Sequence, residues 1–315
     1  MKYSKLLFLF FVIIFHSIKV YSDICSANYS PFHQYHYLPC TALSSSDESL
    51  SIRLISGRSN IFYYDEEGIL NNESAIVDGE ISKQVFVMEK RFNQFLIGGE
   101  ISQIAFSEGS WDSTIESWHT TFNFVNWDRE NYPRNKLLFH YQSGDDQLTI
   151  SEQQKFYRSS YHIGYALYDN KAWLNSIRVG RTYSDDHSLV SSVTSWLTLQ
   201  SSEFNLNSSH AINAHVGLSQ ASVNGVLSEI QEPWVMFAGV KYKFKINRYL
   251  KTILDFSGNT AHYSSESIVL GKPASQFSGG VIWGEGENEF GSFSWFAFHP
   301  YFSPMQHIMW HSKSR

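Results

Sequence analysis

The constraint that weighs most on this chain is a two-residue rhythm. In the run Val240 to Ile246, Val240, Tyr242, Phe244 and Ile246 alternate with Lys241, Lys243 and Lys245. Successive side chains of a strand point to opposite faces, so this segment has one apolar face and one carrying three charges. Tyr161, Ile163, Tyr165 and Leu167 alternate with His162, Gly164 and Ala166. Ile212, Ala214, Val216 and Leu218 alternate with Asn213 and His215, and Leu250, Thr252, Leu254 and Phe256 alternate with Lys251 and Asp255, with Ile253 an exception. From residue 50 onward such segments recur between clusters of Gly, Asn, Asp and Ser, which is the texture of an antiparallel all-β fold. About twelve strands are expected, near 50–56, 60–64, 75–91, 94–106, 135–143, 158–168, 173–182, 190–200, 210–219, 235–247, 249–262 and 276–298, the last dividing in two.

A soluble sandwich and a membrane barrel share this period and differ in which way the apolar face points. Three features favour the membrane. Aromatic residues make up 16% of the chain and fall on the alternating faces, as interfacial girdles require. Several segments reach ten residues, enough for a tilted strand to cross a bilayer. Lys and Asp sit in strand interiors, which is costly in a dry core and easy in a wet lumen. The expected fold is therefore an all-β, antiparallel up-and-down transmembrane barrel of about 10–12 strands. A short helical insert is expected near 112–122, where Asp112 precedes Ile115, Trp118, His119 and Phe122 at helical spacing.

Residues 1–22 read as a secretory signal: Lys2 and Lys5, the apolar run Leu6 to Phe15, then Val20 and Ser22 before the cleavage point. Residues 23–49 are expected as an N-terminal periplasmic segment, 50–299 as the barrel domain and 300–315 as a C-terminal tail. No later apolar stretch is long enough for a spanning helix. In an exported chain Cys25 and Cys40 are expected to form a disulfide. The signal holds three of the 24 basic residues and no acid, so the mature chain is acidic. With no basic block, a nucleic-acid partner is not expected.

A resemblance to a known family rests on three stretches. The run Gly109 to Phe124 (GSWDSTIESWHTTFNF), followed by Arg129, Pro133, Arg134 and Asn135, resembles the signature of the domain-of-unknown-function family 3187. Ser26 to Pro39 is similar to that family's opening, and Val77-Asp78-Gly79-Glu80 to its acidic strand motif. The specific matches cover about the first 140 residues. The resemblance implies an exported outer-membrane β-barrel. The family carries no assigned activity, so it implies an architecture and not a reaction. One departure stands out: the strand-like pattern ends at Phe298, followed by a segment with Pro300 and Pro304 and a basic tail.

Candidate lumen or plug residues are Asp112, Glu116, Trp118, His119, Asp128, Arg129, Arg134, Lys241, Lys243 and Lys245. Glu116 and His119, three apart on one helix face, could form a metal or acid/base pair. No further ligands are signalled, so no metal site and no cofactor are expected. The structural alternative has Asp112 capping the helix and Arg129 or Arg134 pairing with acids. No nucleophile elbow, phosphate loop or dinucleotide fingerprint is present. The leading expectation is an outer-membrane barrel serving as a narrow channel, transporter or structural component. Its partners would be outer-membrane lipid, the barrel-assembly machinery during insertion and a small solute. The alternatives are an outer-membrane lipid-modifying enzyme and a soluble periplasmic ligand-binding β protein.

Overall fold

In the computed structural model, the described residues are 18–20, 34–39, 50–65, 73–122, 133–143, 146–170, 173–185, 189–223, 227–265, 270–285, 288–298 and 305–310. Fifteen strands and one helix lie among them. They are β1 (Ile18–Val20), β2 (Leu50–Asp65), β3 (Glu73–Phe92), β4 (Phe95–Ser107), α1 (Asp112–Phe122), β5 (Leu138–Ser143), β6 (Asp146–Ile150), β7 (Gln154–Asn170) and β8 (Trp173–Ser184). There follow β9 (Val193–Asn205), β10 (His210–Ala221), β11 (Trp234–Lys245), β12 (Leu250–Asn259), β13 (Ala274–Glu285), β14 (Asn288–Phe298) and β15 (Met305–Trp310).

Antiparallel pairing runs from β2 through β3, β4 and β7 to β15, each strand beside its neighbour in the sequence once β5 and β6 are set aside. β15 then pairs with β2, His307 opposite Ser59 and Trp310 opposite Ser56. β2 also pairs along its length with β3, from Leu50 opposite Lys90 to Asp65 opposite Ala75. The twelve strands β2–β4 and β7–β15 thus close into a ring, which satisfies the edge groups an open sheet leaves bare. The expected up-and-down barrel with a helical insert is what forms. Between β4 and β7 the chain leaves the ring to make α1 and the β5–β6 hairpin, and β5 pairs with the first six residues of β3.

The sequence reading ends the barrel at residue 299 and leaves 300–315 as a tail. The structure corrects it: β15 lies within that span and closes the ring. Segment 135–143, expected as a barrel strand, is β5 of the accessory hairpin. β1 pairs in parallel with Leu50–Ile52, from within the stretch read as a signal.

The two ends of the barrel differ. At one end, connections span 93–94, 206–209 and 246–249. At the other, they span 108–153, 185–192, 222–233 and 260–273. Bacterial outer-membrane barrels put short turns on the periplasmic side and long loops outside. The start of β2 and the end of β15 both lie at the short-turn end.

The faces sort as the two-residue rhythm requires. Along β11, Val235, Phe237, Gly239 and Lys241 are buried, and Trp234, Met236, Ala238 and Val240 are exposed. Val240 is 48% exposed and Lys241 not at all. Ile101, Tyr161, Ile163, Leu199, Leu254 and Phe256 share the outward face. A soluble β protein would bury these side chains and expose the lysine, so that alternative is overturned.

Gly79, in the acidic motif of β3, has φ +154°, and a Cβ there would lie 2.9 Å from Leu137 Cδ1 and 3.2 Å from the Ser107 carbonyl. Replacing Gly79 by valine is expected to destabilise the barrel by roughly 1–3 kcal/mol through backbone strain alone. A lowered denaturant midpoint of the refolded protein would register it; an unchanged midpoint would refute it.

Candidate functional site

Three interior features define the site: an N-terminal strap, a buried charge network and an apolar upper plug.

Residues 34–39 lie inside the ring, where Gln34, Tyr35, His36 and Tyr37 are all buried. The sequence reading assigned 23–49 to a periplasmic segment; the structure relocates this part of it. The strap is held from several sides. The Tyr35 hydroxyl donates to the Ser222 carbonyl at 2.6 Å, and the Ser191 amide donates to the Tyr35 carbonyl at 3.1 Å. The Arg158 guanidinium donates to the Gln34 carbonyl. The Tyr37 hydroxyl donates to Glu100 at 2.8 Å, and the Ser219 hydroxyl lies 3.2 Å from the Tyr37 carbonyl. The strap therefore bridges β4, β7 and β10 and two long loops. Each bond has a sequence separation beyond the reach of any local pattern.

His36 sits at the centre of this grip. Its Nε2 lies 2.8 Å from the Glu232 carbonyl, so it carries the proton, and Nδ1 faces the Ser219 hydroxyl at 3.1 Å. Burial, with Arg158 nearby, pushes its pKa down to about 4. A lowered histidine pKa means that the released form binds the proton more readily. The contribution of His36 to holding the strap is whole above the ordinary value near 6.5 and is lost as pH falls from there toward 4. Strap release, read as proteolytic access to residues 34–39, is expected to increase over that window and level off below it. His36→Asn should flatten the profile, and a pH-independent wild type would refute the assignment.

Beneath the strap, Glu89 of β3, 4% exposed, accepts from three donors. Arg178 Nη1 lies 2.7 Å from Oε2, Arg178 Nη2 3.3 Å from Oε1, and His162 Nε2 2.9 Å from Oε2. The fork of Arg178 thus grips both carboxylate oxygens, the stronger form of a charge-assisted hydrogen bond. Arg53, His162, Arg178 and Trp196 are among the residues that line a small cavity of about 30 Å³ beneath the strap. Nearby, Lys241 of β11 and Asp255 of β12 are both buried, 3.6 Å apart, in opposed register positions.

Toward the long-loop end the interior turns apolar. Val77, Ile81, Ile104, Phe106, Phe139, Tyr141 and Phe156 from the strands meet Leu189, Leu227, Tyr263 and Leu270 from the loops, with Tyr35 among them. Phe106 stands edge-on to Phe139 with ring centroids 5.2 Å apart. Loop and strap side chains together cap the barrel.

The motif residues around the helix gather outside this interior. Glu80 accepts from the amides of Ser110 at 2.6 Å and Trp111 at 2.8 Å and pairs with Arg58. Asp112 accepts from Asn60 at 2.7 Å and from the Asn135 amide at 2.6 Å. Glu116 pairs with Arg134 at 2.5 Å. Arg58, Asn60 and Glu80 alternate with the buried, inward Ser59, Ile61 and Ile81, so they occupy the opposite face. The start of α1 is therefore tied to the outer side of β2–β3 near the long-loop end. This is a different place from a lumen insert, and the Asp112 carboxylate links segments rather than serving only as a local cap. The side chains of Trp118 and His119, and the whole of Asp128 and Arg129, lie outside the described residues, as do Cys25 and Cys40. Of the lysine row, Lys241 is buried, Lys243 is half-buried and Lys245, at the short-turn end, is exposed. Among the described residues no group of three or more His, Cys, Asp or Glu could hold a metal.

Sequence reasoning missed Glu89, Arg178, His162 and Arg158. Their signal was present, as charges at inward-phase positions of β3, β7 and β8, and it gains meaning only once the register is known.

A model of the protein family of unknown function DUF3187 matches residues 20–282. Among curated proteins none matches. Of solved structures, the COG4313 outer membrane channel from Pseudomonas putida F1 aligns at TM-score 0.47 and 8% identity, over 92% of this chain and 99% of that one. The Ralstonia pickettii toluene transporter TbuX aligns at 0.39 and 11%, over 84% and 89%. The CymD monoaromatic hydrocarbon channel aligns at 0.40 and 8%, over 91% and 92%. Similarity of that degree bears on neither solute nor mechanism.

Proposed function

The chain belongs to the DUF3187 family of unknown function, so its role is read from its own geometry, and we propose that it is an outer-membrane β-barrel channel or transporter held shut by residues 34–39. The observation that carries this reading is the pairing of an outward apolar face with an inward charged one on a ring of twelve strands. Lipid satisfies the first face, and a polar lumen satisfies the second. A purely structural barrel has no use for a chain segment drawn through its interior and held by side-chain bonds from three strands. A gated passage does.

Export through cleavage of residues 1–22 belongs to the same reading, as does a Cys25–Cys40 disulfide just before the strap. Insertion would pass through the barrel-assembly machinery, with β15 as the strand that completes closure. The test is reconstitution. The full mature chain, extracted from outer membranes, is expected to migrate faster on gels before boiling than after. In planar bilayers it is expected to give small, infrequent conductance steps. Recovery in the soluble periplasm without detergent would end the reading.

A further inference from the structure

The chain as a whole is acidic, with 30 Asp and Glu against 24 Lys and Arg. The inner wall of the barrel is the reverse. Close to the strap, Lys83 of β3 and Arg158 of β7 share a single carboxylate, Glu100 of β4. Beside them, Arg53 of β2 and Arg178 of β8 share another, Glu89 of β3. Each group has two cations to one acid, and so one positive charge in excess. Arg91 pairs with Asp169, and Lys241 with Asp255, which cancel. Toward the short-turn end, Lys243 and Lys245 continue the inward phase of β11, and Lys245 stands opposite Lys251.

Arg53 is the sharpest case. It is 4% exposed and lines the small cavity beneath the strap. Among the described residues, its Nε and Nη2 have no hydrogen-bond partner. The oxygens of Glu89 are already engaged by Arg178 and His162. Glu100, the carboxylate that lines the cavity, already accepts from Tyr37. A buried cation with unmet donors is costly unless an acceptor reaches it. The Arg178–Glu89 pair is complete without Arg53, so balancing Glu89 does not account for it.

We propose that the barrel is an anion-selective passage in which Arg53 and Arg178 form a binding station for a small oxyanion, a phosphate or a carboxylate. This rests on the channel reading above and names the class of solute. A guanidinium presents paired N–H donors that match two oxygens of such a group, a match no halide or cation offers. Arg178 adds its Nε, which also has no partner among the described residues. The excess cations along the wall draw anions in and turn cations away, as rings of Lys and Arg do in anion pores. The strap meets the same preference, since Arg158 holds the Gln34 carbonyl oxygen. An oxyanion is a stronger acceptor for that guanidinium than a neutral carbonyl.

The test is made in planar bilayers under a tenfold KCl gradient, with the full mature chain and with a strap variant carrying Tyr35→Ala, His36→Ala and Tyr37→Ala. The reversal potential is expected to show chloride favoured over potassium at least about fivefold. Lys243→Glu with Lys245→Glu, near the short-turn end, should bring that preference to about one or below. Inorganic phosphate should block the chloride current saturably, and Arg53→Met should weaken the block at least about tenfold. Because methionine removes a buried charge that lacks hydrogen-bond partners, the denaturant midpoint should not fall. Arg53→Lys keeps the charge and loses the fork, so it should retain the chloride preference and still weaken the block. A potassium preference, or none, in the unsubstituted chain overturns the proposal. So does a phosphate block that Arg53→Met and Arg53→Lys leave undiminished. A lowered midpoint in Arg53→Met would make Arg53 a structural cation and overturns the station. A strap variant that carries no current at all overturns the channel reading itself.

Discussion

A barrel carrying Tyr35→Ala, His36→Ala and Tyr37→Ala together is expected to conduct at least about ten times more current than the wild type at neutral pH. The triple replacement removes the bonds to Ser222, Glu232, Ser219 and Glu100 made by these side chains. Each such bond contributes about 0.5–1.5 kcal/mol net. It also removes Tyr35 from the apolar cap, where its ring lies 5.7 Å from that of Tyr263. A shift of about 1.4 kcal/mol changes a population tenfold, so the lost bonds alone exceed what the predicted increase needs. None of the three side chains belongs to a barrel strand, and the variant should still migrate as a closed barrel before boiling. Wild-type conductance from a correctly closed variant would show that the strap is not the gate.

The second large effect is expected at Glu89. Replacing it by leucine leaves the buried Arg178 guanidinium and His162 without the carboxylate to which both donate. Breaking a buried ion pair from one side costs about 3–5 kcal/mol, whereas replacing both partners by apolar groups of like volume is often near neutral. Glu89→Leu is accordingly expected to assemble poorly. Glu89→Leu with Arg178→Met should recover most of the lost stability, and Glu89→Gln, which keeps one acceptor, should fall between. Denaturant midpoints of the refolded variants supply the comparison. Equal midpoints for the single and double replacements would mean that the Glu89–Arg178 pair is not coupled.

Much of this architecture was legible from alternation alone. β4, β8, β10, β11 and β12 follow the expected spans within a few residues at most ends, because each carries its own period-two pattern and needs no partner to reveal it. The direction of the faces was legible too, since Lys241 and Asp255 inside a strand make sense only beside a polar interior. β2 was read as two short strands because Gly57, Ser59 and Asn60 imitate a turn. Pairing with the continuous β3 carries it through. β15 was missed because Met305 to Trp310 is brief, follows Pro300 and Pro304 and does not alternate. Its place comes from the two neighbours it joins. The strap could not be seen at all. Nothing in the local pattern of Gln34 to Pro39 says that these residues meet Ser219 and Glu232 across some 180 positions. Around the helix the motif residues were correctly singled out, but their location depends on Arg58 and Asn60, outward residues of a strand whose continuity was not recognised.

The outward aim of the apolar faces underlies every one of these expectations, and one scan tests it directly. Single spin labels at Val235, Met236, Phe237, Ala238 and Val240, in a Cys25→Ser, Cys40→Ser background reconstituted in bilayers, would report collision with dissolved oxygen and with a water-soluble nickel chelate. Labels at 236, 238 and 240 should meet oxygen and escape nickel, and labels at 235 and 237 should be immobile and meet little of either. Nickel access at 236, 238 and 240, or the loss of the two-residue alternation, would contradict the account.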